Sequence, residues 1–131
     1  MSAPVAIDRT LLTVVLACAA ATLFHHVHNA EFLGDYPNMP AWLSPAGIYL
    51  TWLSATLVGV AGYLLHGHGW RLTGKSFLLA YGCYCLDGLV HYALAPLAEH
   101  NAMMNLSIGM EAVTGVALLA VVVRKMGSVP I

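Results

Sequence analysis

Charged side chains are scarce in this sequence. Asp, Glu, Lys and Arg make up only 8% of its 131 residues, whereas soluble domains contain about 25%. Hydrophobic residues make up 60%, and a soluble domain of this length could not bury so much apolar surface. This composition excludes an ordinary soluble domain. It predicts an integral membrane protein whose main partner is the lipid bilayer.

Several functional motifs are also missing. The net charge is −1 and no cluster of Lys or Arg is present, which excludes a nucleic-acid partner. The three cysteines lie in apolar stretches, and Cys83-x-Cys85 is spaced too closely for a zinc site, so we expect core-filling side chains. No nucleophile–base pair or phosphate-binding loop indicates a reaction class. The sequence therefore leaves open whether the protein is an enzyme.

Long hydrophobic stretches take up most of the chain. Four of them are near the roughly 20 residues that a membrane-spanning helix needs. They cover about residues 10–29, 45–65, 75–97 and 101–123. Pro45 suits the first turn of the second helix, and Pro96 is expected to stop the third. The sequence therefore predicts one all-α domain over residues 1–131, an integral membrane four-helix bundle.

The few charges are distributed unevenly among the connections. Every Lys and Arg falls at the N-terminus, in the second connection or in the C-terminal tail: Arg9, Arg71, Lys75, Arg124 and Lys125. The charged residues of the first and third connections are all acidic: Glu31, Asp35 and Glu99. Because cytoplasmic loops are enriched in Lys and Arg, we expect both termini in the cytoplasm, that is, an N-in/C-in orientation.

Ionisable side chains inside the predicted spans are the strongest functional signal. Asp87 and His91 lie four residues apart in the third span, and Glu111 lies in the fourth. An acid at bilayer depth is costly unless it is paired, protonated or facing water. At a rise of roughly 1.5 Å per residue, Asp87 and Glu111 both lie about 15 Å deep, with His25 and His91 in a layer above them. We therefore expect one polar site, built by three helices, in the outer half of the bilayer.

The leading hypothesis is a site for a transition metal ion (Zn, Fe, Mn or Cu) or a small cationic ligand, because imidazole and carboxylate groups bind metals in helical bundles. Seven residues are candidate metal ligands: His25, His28, Glu31, Asp87, His91, Glu111 and His100. His28 and Glu31 follow His25 at i+3 and i+6, and His100 lies at the outer corner between the third and fourth spans.

One further histidine and one further cofactor are less favoured. His26 points away from the face that His25 and His28 share, so we expect it at the membrane interface. Haem b with His25 and His91 as axial ligands is a less favoured cofactor, because carboxylates would line the porphyrin.

Two other functions fit the same residues. In a proton-relay or transport unit, Asp87 and Glu111 would share a proton and His91 would carry it to the outer face. Four helices form only a small pore, so transport would require a homodimer. In a structural accessory subunit of a larger membrane complex, the cluster would only fix the register of the helices.

One short motif resembles a known family. His28-Asn29-Ala30-Glu31-Phe32 is similar to the His-x-x-Glu-Glu signature of the HXXEE family of small bacterial membrane proteins, with Phe32 in place of the second Glu. Residues 86–96, followed by His100 and Glu111, also resemble small four-span bacterial proteins of unknown function. The resemblance implies a protein of the bacterial inner membrane and implies no particular activity.

Overall fold

Helices account for most of the chain. The computed structural model describes residues 7–127, and within this range it contains no β-strand. The α-helices are α1 (Arg9–Glu31), α2 (Pro45–Gly67), α3 (Arg71–Tyr84), α4 (His91–Leu94) and α5 (Ala102–Gly127). Short 3₁₀ helices cover Leu33–Asp35, Asp87–Val90 and Leu97–Glu99. The all-α prediction is confirmed.

Four helical segments are long and apolar enough to cross a membrane. They are Arg9–Glu31, Pro45–Gly67, Arg71–Leu94 and Ala102–Gly127. Their number and order agree with the four predicted stretches. The first, second and fourth are continuous helices, whereas the third is composed of α3, a 3₁₀ helix and α4.

Side-chain caps determine where three of the long helices begin. Asp8 accepts a hydrogen bond from the Leu11 amide at 3.1 Å, and Ser44 accepts one from the Gly47 amide at 3.1 Å. Asn101 accepts from the amides of Met103 and Met104 at the start of α5. Each cap satisfies backbone N–H groups that a first helical turn leaves unpaired.

The third segment is not the continuous helix predicted for residues 75–97. The α-helix ends at Tyr84, and the amides of Leu86 and Leu89 then bond three residues back, to Cys83 and Leu86. Such tightening within a helix is typical of a functional or strained site. Gly88 lies at this point directly against α5, where a Cβ would clash with the Glu111 carboxylate. The close approach to α5 accompanies the change in helix geometry.

The bundle has two chemically different ends. The basic end comprises the start of α1, the α2–α3 connection and the end of α5. There, Lys125 Nζ lies 2.6 Å from Asp8 Oδ2, and Lys75 donates to the backbone carbonyl of Lys125. The loop end comprises the end of α1 together with residues 32–44 and 95–101. The polar residues described in the next section lie at this end and between it and the middle of the bundle.

An apolar core joins α1, α3 and α5 between the basic end and the polar site. Its buried members are Leu11, Val15, Cys18, Leu78, Tyr81, Cys85, Leu118 and Val122. Cys18 and Cys85 therefore fill the core as predicted, but Cys83 is exposed, because it points away from Cys85 on the same segment. At the α2–α3 contact, a Cβ on Gly74 would clash with the His66 backbone, so glycine allows these two helices to approach closely.

Candidate functional site

Glu111 lies at the centre of the polar site. Its side chain on α5 is fully buried, and neither carboxylate oxygen has a hydrogen-bond partner among the described residues. Burying an unpaired carboxylate is strongly unfavourable, so the group requires a proton or a cation. Glu111 is therefore the group whose environment most needs a chemical explanation.

Imidazole and carboxylate groups surround Glu111. His25 Nε2 lies 3.7 Å from Glu111 Oε2, and His26 Nδ1 lies 3.7 Å from Glu111 Oε1. Asp87 completes the group, because His26, Asp87 and Glu111 each place one possible ligand atom within 4.8 Å of the others. Three segments of the chain, α1, the Asp87–Val90 helix and α5, thus contribute one potential metal ligand each.

The hydrogen bond at His25 Nδ1 determines the protonation of Nε2, the nitrogen that faces Glu111. The Ser107 hydroxyl donates to the Met104 carbonyl at 2.9 Å, so its oxygen accepts from His25 Nδ1 at 3.1 Å. In the neutral ring, Nε2 therefore carries the lone pair that faces Glu111. A single proton can be shared between Glu111 and His25, or both groups can bind one cation.

His26 belongs to the site, contrary to the prediction that it lies at the membrane interface. It is only 5% exposed, and its Nδ1 donates to the Thr22 carbonyl at 2.9 Å. In the neutral ring, Nε2 accepts from the Tyr84 hydroxyl at 2.6 Å. Thr22, His26 and Asn29 recur at i, i+4 and i+7 and are all buried, a stripe that the spacing of His25 and His28 obscures in the sequence.

Asp87 lies beside Glu111, as their matched depths predict. It begins the 3₁₀ helix Asp87–Val90 and is half-buried, and its Oδ1 has no hydrogen-bond partner among the described residues. Two acids without a neighbouring Lys or Arg would repel each other if both were ionised. A bound cation or proton would remove that repulsion.

A row of aromatic rings leads from Glu111 toward the loop end. The ring centroids of His25 and His91 are 5.2 Å apart, and those of His91 and His100 are 6.1 Å apart. His100 Nδ1 donates to the Pro96 carbonyl at 3.1 Å, while its Nε2 is buried without a partner among the described residues. His91 contacts Asn29 through Nε2 at 3.3 Å, and its Nδ1 is likewise unpartnered. His25, His91 and His100 therefore connect the buried Glu111 with the loops.

His28 and Glu31 lie on the rim and outside the group around Glu111. Glu31 accepts from the Tyr49 hydroxyl at 2.8 Å, and His28 Nδ1 contacts the Tyr36 hydroxyl at 2.8 Å. Tyr36 follows the Leu33–Asp35 helix and packs against His91 with ring centroids 4.8 Å apart. Burial raises the pKa of Tyr36 to about 12, so it keeps its proton at neutral pH. A loop tyrosine in this position carries no sequence signal that would identify it.

A cleft of about 330 Å³ opens beside Asp87 and the two histidines His26 and His91. His26, Asp87 and His91 contribute to its lining, together with apolar residues from the 32–44 connection and the start of α2. The break in the third segment places Asp87 and His91 along this cleft. The site is therefore accessible to a small molecule from one side.

No protein-family model, curated protein or solved structure gives a significant match to this chain. Function must therefore be inferred from the chemistry of the site. The relevant features are the buried acid Glu111, the half-buried acid Asp87, two adjacent imidazoles and a cleft.

Proposed function

We propose that this chain is a small bacterial inner-membrane protein that binds a divalent transition metal ion through Glu111, Asp87 and His26. The observation that carries the proposal is the fully buried Glu111 carboxylate, which has no hydrogen-bond partner among the described residues and lies within ligand distance of a second acid and an imidazole. In this interpretation both termini are cytoplasmic and the site opens toward the exterior, as the distribution of Lys and Arg favours.

Apolar surface on the outside of the bundle supports the membrane location. Along α2, Leu50, Leu57 and Leu64 are each more than half exposed, and so are Val113 and Val116 on α5. Side chains of this kind on several helices would be unfavourable in water, whereas lipid tails would cover them without a further protein.

The donor set favours a metal of intermediate hardness. Two carboxylates and one or two imidazoles suit Zn²⁺, Fe²⁺ or Mn²⁺, whereas soft Cu(I) prefers the sulfur ligands that this group lacks. His25 would supply the fourth ligand through the Nε2 lone pair that faces Glu111. His26 would bind the ion only through Nε2, in place of the hydrogen bond that this nitrogen accepts from the Tyr84 hydroxyl, because its Nδ1 donates to the Thr22 carbonyl. A divalent ion bound to two carboxylates is electrically neutral as a unit, which lowers the free-energy cost of burying these charges.

Metal content tests the proposal directly. The full chain, purified in detergent and treated with each metal, should bind one ion, and Glu111→Gln and Asp87→Asn should each weaken that binding by at least about 100-fold. Glu31→Gln is the matched control, since it changes an acid of the same end that is bonded to Tyr49 and lies outside the group. Background metal in the native protein, or full binding by Glu111→Gln, would contradict the proposal.

A proton relay is the second candidate, and a different observation favours it. The Nε2 lone pair of His25 faces Glu111, and the rings of His91 and His100 continue from there toward the loop end. In liposomes, proton flux should then fall strongly in Glu111→Gln and His91→Ala. The control is His68→Ala, which alters an exposed histidine at the basic end. Flux that persists unchanged in Glu111→Gln would rule out the relay.

A further inference from the structure

We infer that the cleft beside the metal centre binds a small, uncharged and mainly apolar molecule that carries a hydroxyl group. The cleft has a volume of about 330 Å³, at the lower limit of typical ligand pockets. It is lined by His26, Asp87 and His91 on one side and by apolar side chains on the other. The polar side of the cleft would contact the hydroxyl group of the ligand, and the apolar side would contact its hydrocarbon part.

The polar side presents one hydrogen-bond donor and two acceptors that have no partner among the described residues. Asn29 and His91 are each more than nine-tenths buried, and both line the cleft. The Asn29 amide donates to His91 Nε2, so His91 Nδ1 carries a hydrogen that no described residue accepts. Asn29 Oδ1 and Asp87 Oδ1 are acceptors that no described residue satisfies. A hydroxyl both donates and accepts, so one such group can bond to His91 and to one of these oxygens.

The apolar side sets the size and character of the rest of the ligand. Met39, Trp42, Ile48 and Leu94 contribute hydrocarbon and aromatic surface without a charge. The volume equals that of about eleven water molecules at roughly 30 Å³ each, which suits a ligand of on the order of ten non-hydrogen atoms. A short aliphatic or alicyclic alcohol meets these requirements and can enter from the lipid phase.

Charge at this end of the bundle disfavours an ionised ligand. Glu31, Asp35 and Glu99 lie in or beside the loops of this end, where the sequence has no Lys or Arg, so a carboxylate would be repelled. An ammonium group would compete with the metal for Asp87 and Glu111. The exclusion of amines therefore rests on the proposed metal centre, while the rest of the inference depends only on the cleft.

Photolabelling with a hexanol that carries an aliphatic diazirine tests this inference in the full chain in lipid nanodiscs. We expect saturable labelling near Met39–Trp42 and Val90–Leu94, measured by peptide mass spectrometry and competed by excess hexanol. Thr51 lines the cleft and bonds only to its own helix, so Thr51→Phe should fill the space and reduce saturable labelling at least about fivefold. Ser54→Phe, on the exposed surface of the same helix, should leave it unchanged.

The possible outcomes separate this inference from the metal proposal. Labelling that does not saturate, or that Thr51→Phe leaves intact, would overturn the cleft as a binding site. Competition by hexylamine or hexanoate that equals competition by hexanol in metal-treated protein would overturn the ligand class. Saturable, hexanol-competed labelling in a protein with background metal content would support the cleft while excluding the metal centre.

Discussion

The two ends of the bundle treat their charged groups in opposite ways. At the basic end, Asp8 accepts from the Leu11 amide and pairs with Lys125, and Lys75 donates to the Lys125 carbonyl. Near the loop end, Glu111 is completely buried and Asp87 half-buried, and neither acid has a described Lys or Arg beside it. The basic end fastens helix termini together. Near the loop end, the two acids have an environment that is favourable for a carboxylate only when a proton or a cation is bound.

This contrast indicates which part of the bundle lowers the stability of the fold. Each buried polar atom without a partner destabilises the fold by about 1–3 kcal/mol. A network that served only to fix helix register would satisfy the hydrogen bonds of its charged groups, as Asp8 and Lys75 do at the basic end. The unsatisfied atoms of Glu111, Asp87, His91 and His100 are therefore better explained by a ligand than by structure alone.

Gly88→Ala, beside the buried Glu111, is expected to have the largest effect on stability and metal binding. The new Cβ would overlap Glu111 Oε2 and lie 3.4 Å from His25 Nε2. Because Glu111 is fully buried and has little room to move, the free energy of unfolding should fall by about 1–3 kcal/mol, and metal binding should be lost. Thermal unfolding in detergent and metal titration measure the two effects.

Gly109→Ala on α5 provides the control, since a Cβ there meets nothing within 4 Å. It should stabilise the protein by up to about 1 kcal/mol through helix propensity alone. Normal metal binding in Gly88→Ala would show that the glycine is not needed to seat the carboxylate.

Glu111→Leu should change stability in the direction opposite to that of an acid removed from the basic end. Without metal, replacing the unpaired carboxylate by an apolar side chain of similar size should raise the free energy of unfolding by on the order of 1–3 kcal/mol. The same variant should not bind metal. Chemical unfolding in the presence of a chelator gives the measurement, and marked destabilisation of the metal-free variant would mean that Glu111 has a structural role.

The fold was largely predictable because its determinants are local. Length and hydropathy specify four spanning segments, and the pair Ser44-Pro45 marks the start of α2 through its side-chain cap and its first-turn proline. The break after Tyr84 was not predictable, since it accompanies a contact between Gly88 and an acid 23 positions further along the chain. A hydrophobic pattern records which residues avoid water but not where a helix tightens against its neighbour.

The site was predictable in part for a similar reason. Matched depth brings Asp87 and Glu111 together because antiparallel helices rise equally per residue. His26 was missed because the face was inferred from His25 and His28, whereas two adjacent helical residues can both reach a central acid from different sides. His28 and Glu31 lie at the rim, outside the group around Glu111, because α1 ends at Glu31 and both side chains bond to tyrosines.

The smallest effect is expected at the basic end, where Asp8→Ala should lower the free energy of unfolding by about 1 kcal/mol through loss of the α1 cap. Burial alone would raise the pKa of Asp8, but hydrogen bonds from Lys125 and the Leu11 amide outweigh it and hold the pKa below its ordinary value of 3.8. The ionised form therefore stabilises the fold at neutral pH, and this contribution should disappear as the pH falls below 3.8 through the lowered pKa. Asp8→Asn retains a capping oxygen and removes only the charge, so at neutral pH it should lose only the contribution of the charge, less than Asp8→Ala loses, and it should lose that acid sensitivity. If Asp8→Ala instead raised stability, as Glu111→Leu is expected to do, the two ends would not differ in the way their charge pairing indicates.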